Sequence, residues 1–380
     1  MIDMKNNSFS TMSSFNNYLK TFPKITLLTY GESNLAISPE IKTSLINLLL
    51  DDNDKYCHAQ GAEEIRTVII DYENSKMGTS FNKDNILITN GATESLYLII
   101  KTLLKEGDEV ILFSPYYPEY KELITINKLK KSIVKLNKNY QIDEKELLKK
   151  ITKKTKMILI NTPSNPTGII LDNESLSIIN KIVKKYNLYL IIDQVYDTLA
   201  YQNMAYLKQD DINNKVVIVN SLSKSHNLTG WRLGYCIGDV EIINNLAHLK
   251  QTMNVCMPLF LQKVIKYVLP IKNDYKKEYR SNINIIYKTL RELDIDVIYP
   301  DAGFYLFFNI ENFKMDSLSF CIKLATEFNI GLIPGIYFEK DNYVRISCIL
   351  KHSEMIKINK KLKKALLKIK KEISSIPLVK

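Results

Sequence analysis

From about residue 85 onward, short apolar β-rich runs alternate with helix-length segments, and this alternation limits what the chain can fold into more than any other feature. The runs NILIT, EVILFS, KMILIN, LYLIID and VVIVN are separated by helical stretches such as SLYLIIKTLLKE, ELLKKIT and SLSIINKIVKKY. Strands alternating with helices build a mostly parallel, doubly wound sheet with helices on its faces. The expected fold class is α/β. The last hundred residues read differently: long Lys-rich helices are mixed with GFYLFFNI and YVRISCIL, two strands of a smaller α+β domain.

Length agrees with two lobes, because 380 residues exceed what one ordinary core holds. Residues 1–40 carry few long apolar periodicities and contain the turn-like TYGESN at 29–34, so they read as an N-terminal arm contributing to the small domain. A helix opened by Pro39 runs through IKTSLINLLL and begins a large domain over 41–270; residues 271–380 form the small domain.

Composition narrows the function classes. With 46% hydrophobic and 24% charged residues, the chain reads as an ordinary globular protein. No apolar run approaches the roughly 18 residues of a membrane span, and the N-terminus lacks a basic segment followed by an apolar one. A cytoplasmic location with no membrane partner is expected. The five cysteines show neither CxxC nor Cys/His ligand spacing, so neither a disulfide framework nor a metal site is indicated. A net charge of +11 raises a nucleic-acid partner, but only five of the 52 basic residues are Arg, and Lys is spread over helical faces, as in KELITINKLKKSIVK and KKLKKALLKIKKEI. That pattern reads as a solvated surface, with no nucleic acid. Such a chain keeps Arg where a planar, bidentate fork is needed, and Arg232 and Arg345 both fall in motifs that carry chemistry.

Polar clusters sit where the β runs end: NGATES after NILIT, SPYYPEY after EVILF, NTPSNPTG after KMILI, DQVY after LYLII, and NSLSKSHNLTGWRLG after VVIV. In open parallel sheets, ligands bind outside the carboxyl ends of the strands. Five strand ends therefore direct chemistry at one crevice.

NPTG, DQVY and SLSKSHNLTGWRLGY, in this order and spacing, resemble fold-type I pyridoxal-phosphate enzymes of the class I/II aminotransferase family, within the aspartate aminotransferase superfamily. The resemblance runs from TYGES to YVRIS. It implies an aminotransferase of amino-acid metabolism or biosynthesis that moves the amino group of an α-amino acid to a 2-oxo acid, with pyridoxal 5'-phosphate joined to Lys224 as a Schiff base. Lys224 follows an apolar strand and a small-residue turn, where a lysine amine can form an imine and afterwards serve as general base. Ser221 and Arg232 match the family's phosphate-binding pair, Ser223 stands beside them, and Gly91, Ala92 and Thr93 offer backbone amides at a helix start. Asp193 would keep the cofactor's ring nitrogen protonated, and Tyr196 and Asn165 resemble the partners of its phenolic oxygen.

Tyr117 aligns with the aromatic residue that stacks on the ring, with Tyr116 as the competing choice. Arg345 and Gly31 match substrate-binding positions, Arg345 for the α-carboxylate. Tyr56 matches a tyrosine that reaches the phosphate of the neighbouring subunit's cofactor, which implies a homodimer. Gln194 departs from the more usual Glu of DQVY's counterpart and is expected to act from behind the site, Arg66 to pair structurally, and His226 to be no catalyst. The same apparatus serves lyases, decarboxylases and cyclases; Trp231 and the tyrosine motif favour the aminotransferases. A cofactor-sensing regulator would need an attached helix-turn-helix, and the residues before the fold show no pair of amphipathic helices. With no clear second arginine for a distal carboxylate, aspartate is not the expected donor.

Overall fold

A computed structural model of the chain describes residues 9–271 and 275–374; residues 1–8 of the expected arm and 272–274 just after the expected domain boundary lie outside it. Its centre is a seven-stranded sheet built from β1 (Ile86–Asn90), β2 (Glu109–Ser114), β3 (Lys130–Lys135), β4 (Thr155–Asn161), β5 (Tyr189–Asp193), β6 (Val216–Ser221) and β7 (Leu233–Gly238). The spatial order is β1-β7-β6-β5-β4-β2-β3, with only β7 antiparallel to its neighbours. The mostly parallel α/β sheet expected from the alternation is therefore the observed one.

Why these runs are apolar throughout follows from how the sheet is covered. Ile158 and Ile160 of β4, Leu190 and Ile192 of β5, and Val216 and Ile218 of β6 pack with Ile65 and Ile69 of the helix Glu63–Met77 and Ile179 of the helix Asn173–Tyr186. The alternate residues Leu159, Ile191, Val217 and Val219 pack on the other face with Leu96 and Ile99 of the helix Ala92–Leu103 and Ile243 and Leu246 of Val240–Asn254. Side chains alternate across a strand, so a sheet buried on both faces needs apolar residues at every position. The register aligns the carboxyl ends: Asn161 pairs with Asp193, and Asp193 with Val219, two residues before Ser221.

A separate core joins the N-terminal segment to the C-terminal one. Phe15, Leu19 and Leu28 pack with Ile283, Ile286, Phe308, Val344 and Leu362. Its strands are Tyr305–Asn309, Ile333–Pro334 and Tyr343–Ser347 in an antiparallel sheet, and Thr26–Leu27 pairs in parallel with Ile330–Gly331. Among the described residues no helix is long and apolar enough to cross a membrane.

Three segments differ from the sequence reading. The expected arm contains a helix, α1 (Met12–Leu19), closed by a reciprocal capping pair between Thr11 and Ser14. KELITINKLKKSIVK is not one helical face: the helix Glu119–Ile126 ends, Lys128 takes a left-handed backbone at φ 55°, and KKSIVK becomes β3. β3 lies at the sheet's edge, where exposed lysines discourage pairing with another chain, so its charges reflect an edge and not a helix surface. LGYCIG, which starts within the lysine motif and runs past it and which the sequence reading left unassigned, is β7; a Cβ on its Gly234 would stand 2.5 Å from a backbone carbon of Gly91, so close packing of β1 against β7 demands glycine.

Candidate active site

The carboxyl ends of the central strands open into a cavity of about 480 Å³, lined among others by Ala92, Thr93, Tyr117, Asn165, Asp193, Tyr196, Ser221, Ser223, Lys224, Arg232, Gly31 and Arg345. The sheet thus brings together residues spread over more than 300 positions of sequence.

Lys224 stands in the short helical turn Leu222–Ser225, which starts directly from β6 and is held by Ser221, whose Oγ accepts from the Ser223 N–H at 3.1 Å. Its Nζ donates to the carbonyl oxygen of Gly31 at 2.7 Å. Burial, followed by the nearby guanidinium groups of Arg345 and Arg232, lowers the amine to about 8. A substantial neutral fraction near that pH is what a nucleophilic amine requires.

Asp193, the last residue of β5, is 4% exposed. It accepts from the Tyr120 hydroxyl at 2.6 Å and from the Val195 N–H at 3.2 Å. Burial pushes its carboxyl up to about 6, against the pull of those two hydrogen bonds. The carboxylate is available near neutral pH to a cationic ring nitrogen.

An anion cradle occupies the other end. Gly91 at φ 78° turns the chain from β1 into the helix Ala92–Leu103, leaving that helix's first amides toward the cavity. A Cβ at Gly91 would lie 2.5 Å from Nη2 of Arg232, so the glycine lets the guanidinium lie across the turn. Arg232 itself adopts φ 56° and donates to the Thr229 carbonyl at 3.0 Å. Ser221 Oγ donates to the Leu233 carbonyl at 2.8 Å and lies 2.9 Å from Ser223 Oγ, so two hydroxyls face the same corner.

Arg345 is 2% exposed, and its planar group lies over the Tyr305 ring at 4.4 Å. One terminal nitrogen donates to Asn165 Oδ1 at 2.8 Å, the other to the carbonyl of Thr29, and Nε has no partner. Tyr196 and Tyr305 share a hydrogen bond at 3.0 Å. Gly31 proves to be more than a turn: a Cβ there would collide with the Tyr305 hydroxyl and stand 3.0 Å from Lys224 Nζ.

The structure separates the competing tyrosines. Tyr116 turns away to donate to Glu339 Oε1 at 3.0 Å, while Tyr117 lines the cavity edge-on to Tyr120, with ring centroids 5.5 Å apart. Tyr56 lies outside the cavity at 83% exposure. Arg66 is bound by the Gly61 carbonyl at 3.1 Å and Gln60 Oε1 at 2.9 Å. His226 is buried, its imidazole lowered to about 4 by that burial, and it pairs with Ser225 Oγ at 2.8 Å.

Several cavity residues were not anticipated. Tyr120, Asn161, Thr29 and Tyr305 stand within the quoted SPYYPEY, NTPSNPTG, TYGESN and GFYLFFNI, but nothing in those segments singles them out as cavity residues. Ser13, Asn16, Asn17 and Lys20 come from or directly follow α1. Beneath the site, Lys76 bridges Glu73 at 2.7 Å and Asp197 at 2.6 Å, and Asn220 Nδ2 donates to the same Asp197 oxygen at 3.0 Å. That buried bridge ties the turn after Tyr196 to the strand leading to Lys224.

The residues present suit pyridoxal phosphate: a reactive amine, a buried carboxylate, a guanidinium-and-amide cradle, and an aromatic wall surround one space. The unpartnered Nε of Arg345 and Oγ1 of Thr29, both on buried residues, leave hydrogen-bonding capacity that bound polar groups would use.

Comparison with known proteins agrees with this chemistry. Residues 23–362 match the family described as aminotransferase class I and II. An aspartate aminotransferase of Thermotoga maritima is 30% identical over 325 residues, covering 84% of this chain and 85% of that protein. A probable N-acetyl-LL-diaminopimelate aminotransferase of Bacillus subtilis is 27% identical, covering 89% and 88% respectively. The crystal structure of an aspartate aminotransferase from Thermotoga maritima superposes with a TM-score of 0.88 at 28% identity, over 94% of this chain and 96% of that one.

Proposed function

The chain belongs to the class I and II aminotransferases and is a pyridoxal-phosphate-dependent transaminase, and from that premise we propose how its own residues divide the work. Lys224 is the lysine that takes the cofactor and then acts as base toward the donor's α-proton. The observation that carries this role is the Lys224 amine inside the cavity, lowered to about 8 by burial and by Arg345 and Arg232. When bound, pyridoxal phosphate supplies an aldehyde that accepts the amino group and a ring that draws electron density from the α-carbon.

Arg232, Ser221 and Ser223, with the amides of Gly91, Ala92 and Thr93, would hold the phosphate. Asp193 would hold a proton on the ring nitrogen, Tyr196 and Asn165 would donate to the phenolic oxygen, and Tyr117 would cover one ring face. Arg345 would bind the α-carboxylate as a fork, its orientation fixed by Asn165, Thr29 and the Tyr305 ring. Gly31 keeps the lead-in segment close above Lys224.

We also propose a cytoplasmic homodimer with a large domain over 41–270 and a small one formed by 271–380 and the N-terminal arm. The separate core shared by Phe15, Leu19 and the C-terminal helices supports that division, and five free cysteines suit a reducing compartment. Tyr56 is exposed and precedes Cys57, whose N–H lies 3.4 Å from Cys256 Sγ; Met253 and Val255 just before Cys256, and Ile46, Leu49 and Leu50 before Tyr56, are exposed apolar side chains too, which suits a subunit interface that would carry Tyr56 to the neighbouring site.

The experiment is a half-reaction: holoenzyme is mixed with single α-amino acids, without an oxo acid, while cofactor absorbance and products are followed. Conversion to the pyridoxamine form with release of the matching 2-oxo acid supports the reading. Release of ammonia or carbon dioxide without that conversion contradicts it.

A further inference from the structure

We propose that Asn16 of α1 reads the side chain of the donor substrate, and that it selects a carboxamide. This rests on the assignment of Arg345 to the α-carboxylate and concerns the opposite end of the same substrate.

The helix is fixed to present its residues. Phe15 and Leu19 are fully buried in the second core, and the Thr11–Ser14 capping pair closes the first turn. The adjoining stripe, Met12, Ser13, Asn16, Asn17 and then Lys20, follows helical spacing and lines the cavity that holds Arg345. Asn16 is 5% exposed, yet its Oδ1 has no hydrogen-bond partner. A buried amide oxygen without a partner has lost its water for nothing in return, so a ligand that completes it gains in affinity and in selectivity.

The chemistry of the wall chooses the ligand. Of the five arginines, only Arg232 and Arg345 line the cavity; Arg66 is bound by backbone and Gln60, and Arg280 lies over the Tyr201 ring. The remaining charges on the wall, Lys20 and Glu119, are of opposite sign, so neither a distal carboxylate nor a distal ammonium is favoured by net charge. Ser13, Asn16 and Asn17 are neutral and hydrogen-bonding. An amide offers one acceptor and a donor pair, and a carboxamide meets both at once in one plane; a hydroxyl brings a single hydrogen, a carboxylate answers only the donors, and a hydrocarbon group answers neither. This holds whichever way the Asn16 amide is turned.

The test uses unreactive ligands, so it reads binding and not turnover. Calorimetric titration of holoenzyme with succinamate, succinate and 4-methylpentanoate compares a carboxamide, a carboxylate and an apolar isostere on one carboxylate stem. Succinamate should bind about tenfold more tightly than either of the others, the equivalent of one well-made hydrogen bond. Asn16→Leu should abolish that preference, so that succinamate binds no more tightly than 4-methylpentanoate, and Asn16→Asp, which keeps the shape but removes the N–H donors, should weaken succinamate as well. Arg345→Lys should weaken all three ligands. Tightest binding of succinate, or an order of affinity unchanged by both Asn16 variants, overturns the Asn16 assignment alone. Indifference of all three ligands to Arg345→Lys overturns the α-carboxylate reading, and the Asn16 assignment falls with it.

Discussion

Lys224 donates to the carbonyl oxygen of Gly31 at 2.7 Å, across 193 positions of sequence, so the reactive amine is in contact with the N-terminal segment that overlies it. The approach leaves no room for a side chain at position 31, where a Cβ would press on Tyr305 and Lys224. Gly31→Ala should therefore displace the amine or the lead-in segment and lower kcat/KM on the order of 100-fold, as misplacement of reacting groups by about 1 Å does. Steady-state kinetics check it, with Gly230→Ala as a comparison because a Cβ there meets nothing within 4 Å.

Arg345→Lys should raise the donor's KM by about 10- to 100-fold, since one ammonium replaces a fork that makes charge-assisted bonds. Cofactor absorbance should stay as in the parent protein. Loss of cofactor with unchanged KM would place Arg345 at the other end of the site.

Tyr120→Phe removes one of the two hydrogen bonds that favour the Asp193 carboxylate. Burial already holds that carboxyl at about 6, so losing the Tyr120 hydroxyl moves it further up. The ionised form is the one a cationic ring nitrogen requires, and it disappears as pH falls through this value; the acid limb of cofactor binding to the cofactor-free protein should therefore shift to higher pH in the variant. A limb that stays in place would detach Asp193 from the pH profile.

Lys76→Met should destabilise the fold by about 3–5 kcal/mol, because it leaves Glu73 and Asp197 buried without their shared cation. Both carboxylates are almost fully buried, at 0% and 3% exposure. Thermal unfolding measures the loss, and a Tm equal to that of the parent protein would show that the bridge contributes nothing.

What could be read from the sequence follows from how local each signal is. The sheet was legible because strands buried on both faces are apolar at every position, as in LYLIID and VVIVN. The cluster around Lys224 was legible because its residues sit at fixed offsets from strand ends. β3 was not, since an edge strand guarded by Lys130, Lys131 and Lys135 has the composition of a helix surface. Asn16, Thr29 and Tyr305 escaped for another reason: they meet the site only through packing between the N-terminal and C-terminal segments, and no spacing along the chain encodes that contact. Gly31 was quoted in its motif, but the demand for glycine there comes from Tyr305, 274 residues away, and only coordinates show it.

The decisive measurement is reductive trapping of holoenzyme with borohydride, followed by peptide mapping by mass spectrometry. The reduced cofactor should be found covalently on the peptide containing Lys224, and Lys224→Ala should give no labelled peptide. Label on any other of the chain's many lysines, or an undiminished yield in Lys224→Ala, would contradict the assignment from which every role proposed for this cavity is built.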